Sequence, residues 1–251
     1  MTLYMIGLGL GDKTDITVKG LEIVKGCDFI YLESYTSLLK CSKEELEKFY
    51  GKNIILADRK TVESEAENTI LKNAKQNDVA FLVIGDVFGA TTHTDLKLRA
   101  IKDQIKVVVI SNASVMNAVG ITGLELYKFG KTTSIPFDNK SVTAPYDVIK
   151  QNQSIGLHTL LLLDLKPKQD KFMTVNDAIE FLLTVGEKKK ENLFTEDSFC
   201  IGCARLGQDD YKIKAGKASE LLKENFGKPL HCLIVPGELH FIEEESLALY
   251  S

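Results

Sequence analysis

The first residues whose types and spacing could do chemistry are three glycines at alternate positions. Gly7, Gly9 and Gly11 follow an apolar run, and Asp12 comes directly after them. A glycine-rich turn between a strand and a helix can hold the pyrophosphate of a dinucleotide, because no side chain keeps the ligand away from the backbone. The spacing therefore raises the question of a nucleotide-type ligand at the end of the first strand.

The dinucleotide fingerprint is incomplete in this sequence. It requires G-x-G-x-x-G, and Asp12 stands where the third glycine would let the helix approach the strand. Glu33 ends the next apolar run, somewhat later than the roughly 20 positions expected for a ribose-binding carboxylate. Two interpretations remain open: the turn makes room for another ligand, or it is a tight turn needed only for packing.

Small or polar residues also follow two later strands. The stretch "VIGDVFGATTHTDL" places Gly85, Asp86 and Gly89 after one apolar run, and "ISNASVMNAVG" places Ser114 after the next. In a parallel sheet these strand ends meet at one edge, where open α/β sheets bind their ligands. We therefore predict a ligand site formed by the three turns. The alternative is a helix cap at Ser114 and ordinary turn residues before it. Those turn residues are Thr91, Thr92 and Asp95.

The cysteines do not predict a metal or redox centre. Cys200 and Cys203 form a C-x-x-C pair, but they lie in the strand-like segment "SFCIGCARLG". Residues three apart in a strand point to opposite faces, so their sulfur atoms would not converge. The remaining cysteines, Cys27, Cys41 and Cys232, are scattered and supply no second pair for a zinc site. We expect reduced thiols and no bound metal.

Composition narrows the class of protein. The chain has 251 residues, 44% of them hydrophobic and 26% charged, with a formal net charge of -4. This balance is typical of a globular protein, and it disfavours binding to bare nucleic acid. The apolar run Leu3 to Leu10 is too short for a signal peptide, and no stretch reaches the length needed to span a membrane. The sequence therefore predicts a cytoplasmic protein.

The elements that must position the three turns follow an alternating pattern. Short β-type runs such as "LYMIGLG", "VAFLVIG" and "KVVVIS" alternate with helical segments, which predicts an α/β fold with a parallel or mixed sheet. The stretch "PFDNKSVTAPYDV" has two prolines and no periodicity, and the strand and helix alternation resumes after it. We predict two α/β domains, residues 1–136 and 146–251, joined by a linker at residues 137–145.

The sequence resembles the diphthine synthases of the tetrapyrrole (precorrin-type) methylase superfamily. The resemblance is carried by "YMIGLGLGD", "GDVFGATTHTDL", "NASVMNAVGITGLELYKFG", "GLHTLLLLDLK", "CIGCARLG" and "GKPLHCLIV". It therefore runs from the first strand almost to the last. The superfamily's G-D-P turn appears here as Gly85-Asp86-Val87, which keeps the carboxylate but loses the rigidity of proline.

The resemblance implies a homodimeric enzyme that binds S-adenosyl-L-methionine in a cleft between its two α/β domains. It places cofactor contacts at Leu10, Asp86, Gly89, Ser114, Val115, Leu163, Leu206 and His231. His231 also begins an apolar strand, so a structural role within the core is the alternative for it. No residue identifies itself as a catalytic base.

The resemblance also implies a protein substrate, translation elongation factor 2 carrying an aminocarboxypropyl group on a histidine. Three methyl groups on its amine give diphthine, and the eukaryotic enzymes add a fourth as a methyl ester. The chain lacks the longer insert of the eukaryotic proteins after "LLLLDLK", which favours the three-methyl type. The alternatives are the methyl ester type, methylation of a tetrapyrrole or ribosomal RNA, a nicotinamide-dependent dehydrogenase and an adaptor without catalytic activity.

Overall fold

The structure is a computed structural model that describes residues 1–89 and 93–251. Thr91 and Thr92, named above as turn residues, lie outside this part of the chain. The described residues form two compact units, one of residues 1–118 with 207–209 and one of residues 119–206 with 210–251. Over the described ranges, each unit contains one five-stranded sheet. The predicted α/β class is confirmed.

The sheet of the first unit is parallel throughout. Its strands are β1 (Thr2–Gly7), β2 (Phe29–Glu33), β3 (Ile55–Ala57), β4 (Val79–Val83) and β5 (Lys106–Ile110). Their order across the sheet is β3-β2-β4-β1-β5, and Met5 lies opposite both Phe81 and Val109. Alternate residues of β1 enter two different core clusters: Leu3 and Met5 belong to one, Ile6 to the other. Both faces of the sheet are therefore covered, as the apolar runs predict.

Helices connect these strands. They are α1 (Val18–Gly26), α2 (Lys43–Tyr50), α3 (Arg59–Glu63), α4 (Ile70–Ala74), α5 (Thr94–Lys102) and α6 (Val115–Ala118). The polar segment from Glu63 to Lys75, which the alternating pattern predicts as one helix, does not form a continuous helix. A 3-10 turn, Ala66–Asn68, separates α3 from α4, and the Thr69 hydroxyl donates to the carbonyl oxygen of Glu65 at 2.8 Å. A hydroxyl that donates to the carbonyl oxygen four residues earlier competes with the regular backbone hydrogen bonds of a helix.

The second unit has a mixed sheet. Its strands are β6 (Thr133–Ile135), β7 (Thr159–Leu163), β10 (Phe199–Ala204), β11 (Lys212–Lys217) and β12 (His231–Val235), and a small hairpin of β8 (Leu165–Lys166) and β9 (Lys171–Phe172) follows β7. The order is β11-β10-β12-β7-β6, and only the β6 and β7 pair of these is parallel. Strand β11 is not evident from the sequence, because lysines interrupt its apolar residues. Lysines are common in strands that lie at the edge of a sheet, as β11 does.

The helices of the second unit are α7 (Ala144–Gln153), α8 (Val175–Lys189), α9 (Ala218–Leu221) and α10 (Phe241–Ala248). Helix α8 supplies much of the core, with Val175, Ala178, Ile179, Leu182 and Val185 on one buried stripe. Thr174 caps it, since its hydroxyl accepts from the N–H of Asp177. The apolar periodicity of this segment and its N-cap both favour a helix.

The division between the units differs from the predicted linker at residues 137–145. The first unit ends at Ala118, and the predicted linker lies inside the second unit. Pairing of β6 with β7 explains the difference, because it joins residues 133–135 to the second sheet. Residues 207–209 belong to the first unit: a Cβ placed on Gly207 would lie 2.5 Å from the Cβ of Leu10.

A buried carboxylate fixes α10 in the second unit. Glu243 is fully buried; its Oε1 accepts from His158 and from the N–H of Glu125, each at 2.9 Å. Its Oε2 accepts from Lys128 at 2.5 Å and from the N–H of His240 at 2.8 Å. Burial alone raises the pKa of Glu243, but these hydrogen bonds outweigh it and lower the pKa to about 2.

We predict that Glu243→Gln lowers the free energy of unfolding at pH 7 by roughly 3 kcal/mol, because it places an amide among four donors and leaves Lys128 without its buried partner. A carboxyl whose pKa is lowered by folding stabilises the protein above its unfolded pKa. This contribution should therefore fade as the pH falls from about 4.5 towards 2. Urea unfolding at pH 7 and pH 3 measures it, with exposed Glu245→Gln as the control. An equal difference at both pH values would contradict the prediction.

Candidate functional site

The turns after β1 and β4 are joined by their backbones. Gly9 and Gly85 exchange hydrogen bonds, with N to O distances of 3.2 Å from Gly9 to Gly85 and 2.7 Å in the reverse direction. Both residues have positive φ, 78° at Gly9 and 85° at Gly85. Side chains rarely allow this conformation, so glycine is required at both positions. The first two predicted turns therefore meet at the carboxyl edge of the sheet.

The three glycines that open the sequence serve close packing. A Cβ on Gly7 would lie 2.7 Å from the carbonyl oxygen of Gly85, and one on Gly9 would lie 2.6 Å from the Cβ of Asp15. A Cβ on Gly11 would lie 2.9 Å from an oxygen of the Asp15 carboxylate, which accepts the N–H of Gly11 at 2.7 Å. Of the two interpretations left open for this turn, packing accounts for all three glycines.

Asp86 and Asn112 tie the turns together. One oxygen of the Asp86 carboxylate accepts from the N–H of Phe88 and the other from the N–H of Asn112, both at 2.9 Å. The Asn112 amide donates to the carbonyl oxygens of Gly7 at 3.0 Å and Asp15 at 2.9 Å. Two side chains thus connect the segments that follow β1, β4 and β5. Sequence reasoning missed Asn112, although an asparagine two residues after a strand was the available signal.

Ser114 closes the same group of residues. It is buried, its backbone N–H donates to the side-chain oxygen of Asn117 at 2.7 Å, and its hydroxyl oxygen accepts from the N–H of Met116 at 3.2 Å. A Cβ on Gly89 would lie 2.6 Å from the Ser114 hydroxyl oxygen. Ser114 therefore bonds the start of α6, as the cap interpretation expects, and also packs against the turn after β4.

The apolar members of the predicted set in this unit are Leu10 and Val115. Leu10 is half-buried, and its side chain lies 3.7 Å from the position of a Cβ on Gly85. Val115 is the half-buried first residue of α6. The structure therefore brings Leu10, Asp86, Gly89, Ser114 and Val115 to the segments that follow three neighbouring parallel strands.

Glu33 takes no part in this group. It ends β2 and is fully buried. Its carboxylate accepts from the N–H groups of Tyr35 and Thr36 at 2.8 and 2.7 Å, and from the Thr36 hydroxyl at 2.8 Å. Burial raises the pKa of Glu33, and these bonds oppose the change. The carboxylate stabilises the loop that follows β2 through these bonds. The presence of an acidic residue here is therefore explained without a ribose ligand.

The predicted residues of the second unit also gather at one end of a sheet. Leu163 ends β7, His231 begins β12 and Leu206 follows β10, and these strands are neighbours in the order β10-β12-β7. All three residues are about 8% exposed. Antiparallel pairing places the end of β7 and β10 beside the start of β12, so the three side chains belong to one edge.

The ring nitrogens of His231 are both engaged by the backbone. Nε2 donates to the carbonyl oxygen of Lys228 at 3.0 Å, and Nδ1 accepts from the N–H of Val175 at 3.4 Å. Burial lowers the pKa of His231, and the carbonyl contacts oppose this change. The imidazole is thus neutral and supports the start of α8. This arrangement favours a structural role for His231.

The cysteine pair behaves as its strand position predicts. Cys200 lies in the main core cluster of the second unit, whereas Cys203 pairs across the sheet with Cys232 on the other face. All five cysteines are free thiols. Within residues 1–89 and 93–251, no cluster of His, Cys, Asp and Glu side chains could hold a metal ion. The same ranges contain no helix long and apolar enough to cross a membrane.

Comparison with known proteins assigns the family. The family model of the tetrapyrrole (corrin/porphyrin) methylases matches residues 2–222. The chain belongs to this family. It is 51% identical to the diphthine methyl ester synthase of Dictyostelium discoideum, over 98% of this chain and 96% of that protein. It is 49% identical to the human diphthine methyl ester synthase, over 99% of this chain and 95% of that protein.

A solved structure agrees with these relatives. The crystal structure of a diphthine synthase matches with a TM-score of 0.92 and 40% identity, over 100% of this chain and 96% of the other. The resemblance to diphthine synthases is thereby confirmed, and this methylase is a methyltransferase of diphthamide biosynthesis.

We predict that Gly89→Ala destabilises the first unit by roughly 1 to 3 kcal/mol, because the added methyl group collides with Ser114. The second substitution Ser114→Gly removes the colliding atoms, so at least half of the cost should disappear in the double variant. Urea unfolding of the four proteins measures this coupling. Gly26→Ala is the control, since nothing lies within 4 Å of a Cβ at that position. Additive effects would show that the collision is not the cause.

Proposed function

We propose that this methylase transfers methyl groups from S-adenosyl-L-methionine to the aminocarboxypropyl-histidine of translation elongation factor 2. The observation that carries the proposal is the joining of the segments after β1, β4 and β5 by Asp86 and Asn112. It occurs in a chain about half identical, along nearly its full length, to diphthine methyl ester synthases. The substrate and the cofactor are those that the resemblance implies.

The residues of the first unit fit such a cofactor. Leu10 and Val115 offer half-buried apolar surface for an adenine or ribose face. The Ser114 oxygen accepts one bond, so its hydroxyl hydrogen is available to donate. Each oxygen of Asp86 accepts one bond and keeps a lone pair for a ligand donor. In the second unit, we propose that Leu163, Leu206 and His231 contribute further contacts.

When bound, S-adenosylmethionine would supply an electrophilic methyl group on its sulfonium. An amine or a carboxylate would attack this methyl carbon in line, and the neutral thioether, S-adenosylhomocysteine, would leave with the electron pair of the broken carbon–sulfur bond. This chain's contribution is therefore mainly alignment, which can account for a large share of the barrier. The acceptor amine must be neutral to attack, and apolar side chains such as Leu10 disfavour its protonated form by desolvation. No dedicated base is needed among the residues proposed here, consistent with the failure of the sequence to identify one.

The identity of the relatives bears on the number of methyl groups. The absence of a longer insert after "LLLLDLK" favours the three-methyl type, but the human and Dictyostelium proteins, at 49% and 51% identity, are diphthine methyl ester synthases. We propose that the methyl ester type is the correct one. Its additional step methylates a carboxylate, which is already ionised at neutral pH and needs no proton removed.

The product of the reaction tests this proposal. We expect four methyl groups on the modified histidine when the aminocarboxypropylated elongation factor is incubated with the cofactor. One of them should be lost on mild alkaline hydrolysis, because an ester hydrolyses and a trimethylammonium group does not. Mass spectrometry of the histidine peptide gives the count. Three stable methyl groups would assign the three-methyl type, and none, with cofactor binding intact, would refute the substrate.

Cofactor binding is a separate prediction. We expect one S-adenosylmethionine per chain by calorimetry, and an affinity at least tenfold weaker for Asp86→Ala, which loses the tie between two turns. Asp78→Ala is the matched control, since Asp78 accepts the N–H of Thr2 at the opposite edge of the same sheet. Binding of a nicotinamide nucleotide in place of S-adenosylmethionine would contradict the proposal and support a dehydrogenase.

Further parts of the proposal rest on the resemblance. We propose a homodimer, which light scattering would contradict by giving a particle of 27.9 kDa at micromolar concentration. We also propose a cytoplasmic location, where the elongation factor works.

The net charge of -4 disfavours ribosomal RNA as the substrate, since phosphate neutralisation requires a basic surface. A single-turnover assay with labelled cofactor distinguishes the alternatives. Label should pass to the unmethylated elongation factor and not to ribosomal RNA or a tetrapyrrole, whereas an adaptor without catalytic activity would transfer none.

A further inference from the structure

His93 is a buried histidine with no role in the site described above. It is 1% exposed and precedes α5. Its ring packs edge-on against Phe81, with ring centres 5.1 Å apart, and against Tyr35, with ring centres 6.4 Å apart. These contacts place an imidazole among aromatic rings in the core of the first unit.

The helix does not explain the histidine. His93 is the N-cap residue of α5, a position that favours Ser, Thr, Asp or Asn because their side chains accept a backbone N–H. The imidazole makes no such bond in the described part of α5. It turns back towards the preceding segment instead.

One ring nitrogen reaches the turn after β4. Nδ1 lies 3.3 Å from the carbonyl oxygen of Val87. A carbonyl oxygen only accepts hydrogen bonds, so Nδ1 carries the hydrogen and donates it. Val87 stands between Asp86 and Phe88, and the N–H of Phe88 donates to the Asp86 carboxylate. The histidine and the aspartate therefore hold adjacent parts of one turn.

The other ring nitrogen, Nε2, is buried and has no hydrogen-bond partner within residues 1–89 and 93–251. Burial lowers the pKa of His93, and the bond to Val87 opposes this. Arg59 lies over the Tyr35 ring at 5.2 Å, and Glu33 is engaged by its own loop, so no carboxylate among these neighbours pairs with the imidazole. Among the described residues, the bond to Val87 is therefore the polar contact of the imidazole.

We propose that His93 is a positioning residue of the cofactor site: its Nδ1–H fixes the carbonyl group of Val87 and thereby the turn that carries Asp86 and Gly89. This inference rests on the function proposed above. Val87 lacks the ring of proline, and the hydrogen bond to its carbonyl oxygen restrains the peptide plane between Val87 and Phe88. The histidine acts through the turn and needs no contact with the cofactor.

Two variants test the proposal. His93→Asn keeps a donor, because the amide nitrogen of asparagine takes the place of Nδ1. His93→Phe keeps the ring and removes the donor. We expect His93→Phe to raise the KM and the calorimetric Kd for S-adenosylmethionine about tenfold, the effect of losing one positioning hydrogen bond, with kcat changed less than twofold. Thermal melting of both variants checks that the fold is retained, and His93→Asn should bind S-adenosylmethionine within about threefold of wild type.

Tyr35→Phe is the matched control, because it removes the buried hydroxyl beside the same ring without touching Val87. It should leave the Kd unchanged. Wild-type affinity in His93→Phe would overturn the inference, as would equal losses in His93→Phe and His93→Asn at an unchanged melting temperature. Absence of cofactor binding by the wild-type protein would instead refute the proposed function.

Discussion

The first unit depends on the hydrogen bond between the Asp86 carboxylate and the N–H of Asn112, 2.9 Å long. A carboxylate that accepts backbone N–H groups forms strong, charge-assisted bonds, and this one joins segments 26 residues apart. The amide of Asn112 extends the link to the segment after β1. Loops are normally the more mobile parts of a fold, but hydrogen bonds from Asp86 and Asn112 connect these loops to one another.

This constraint acts only because the sheet is parallel. The order β4-β1-β5 brings three carboxyl ends together, and each strand delivers its turn to the same edge. Direct backbone pairing of Gly9 with Gly85 then removes the space that side chains would need. In the second unit, antiparallel pairing has a different consequence, since the edge that holds Leu163 and Leu206 also holds the start of β12 at His231. Both sheets thus gather residues from separate parts of the chain.

Much of this arrangement could be predicted from the sequence. Apolar runs such as "VAFLVIG" gave strands, and polar residues directly after them gave the edge, because parallel strands leave few choices of topology. The division at Ala118 could not be predicted, because it depends on the pairing of a three-residue strand, β6, with β7. The break between α3 and α4 could not be predicted either, because periodicity does not show the hydrogen bond from the Thr69 hydroxyl to the carbonyl oxygen of Glu65. The role of Asn112 depends on contacts across about 100 residues of chain.

The distribution of perturbed pKa values is informative about the chemistry. Strongly shifted pKa values occur both at sites of acid and base catalysis and in structural networks of hydrogen bonds and ion pairs. Here the Glu243 carboxyl, with its pKa lowered to about 2, holds α10 in the second unit, and the buried Glu33 carboxyl, with its pKa raised by burial, holds the loop after β2. Backbone N–H donors and neighbouring side chains account for the environment of both carboxyl groups, so both have a structural role. A methyl transfer that relies on alignment needs no such group at its centre, and rigid turns are what it requires.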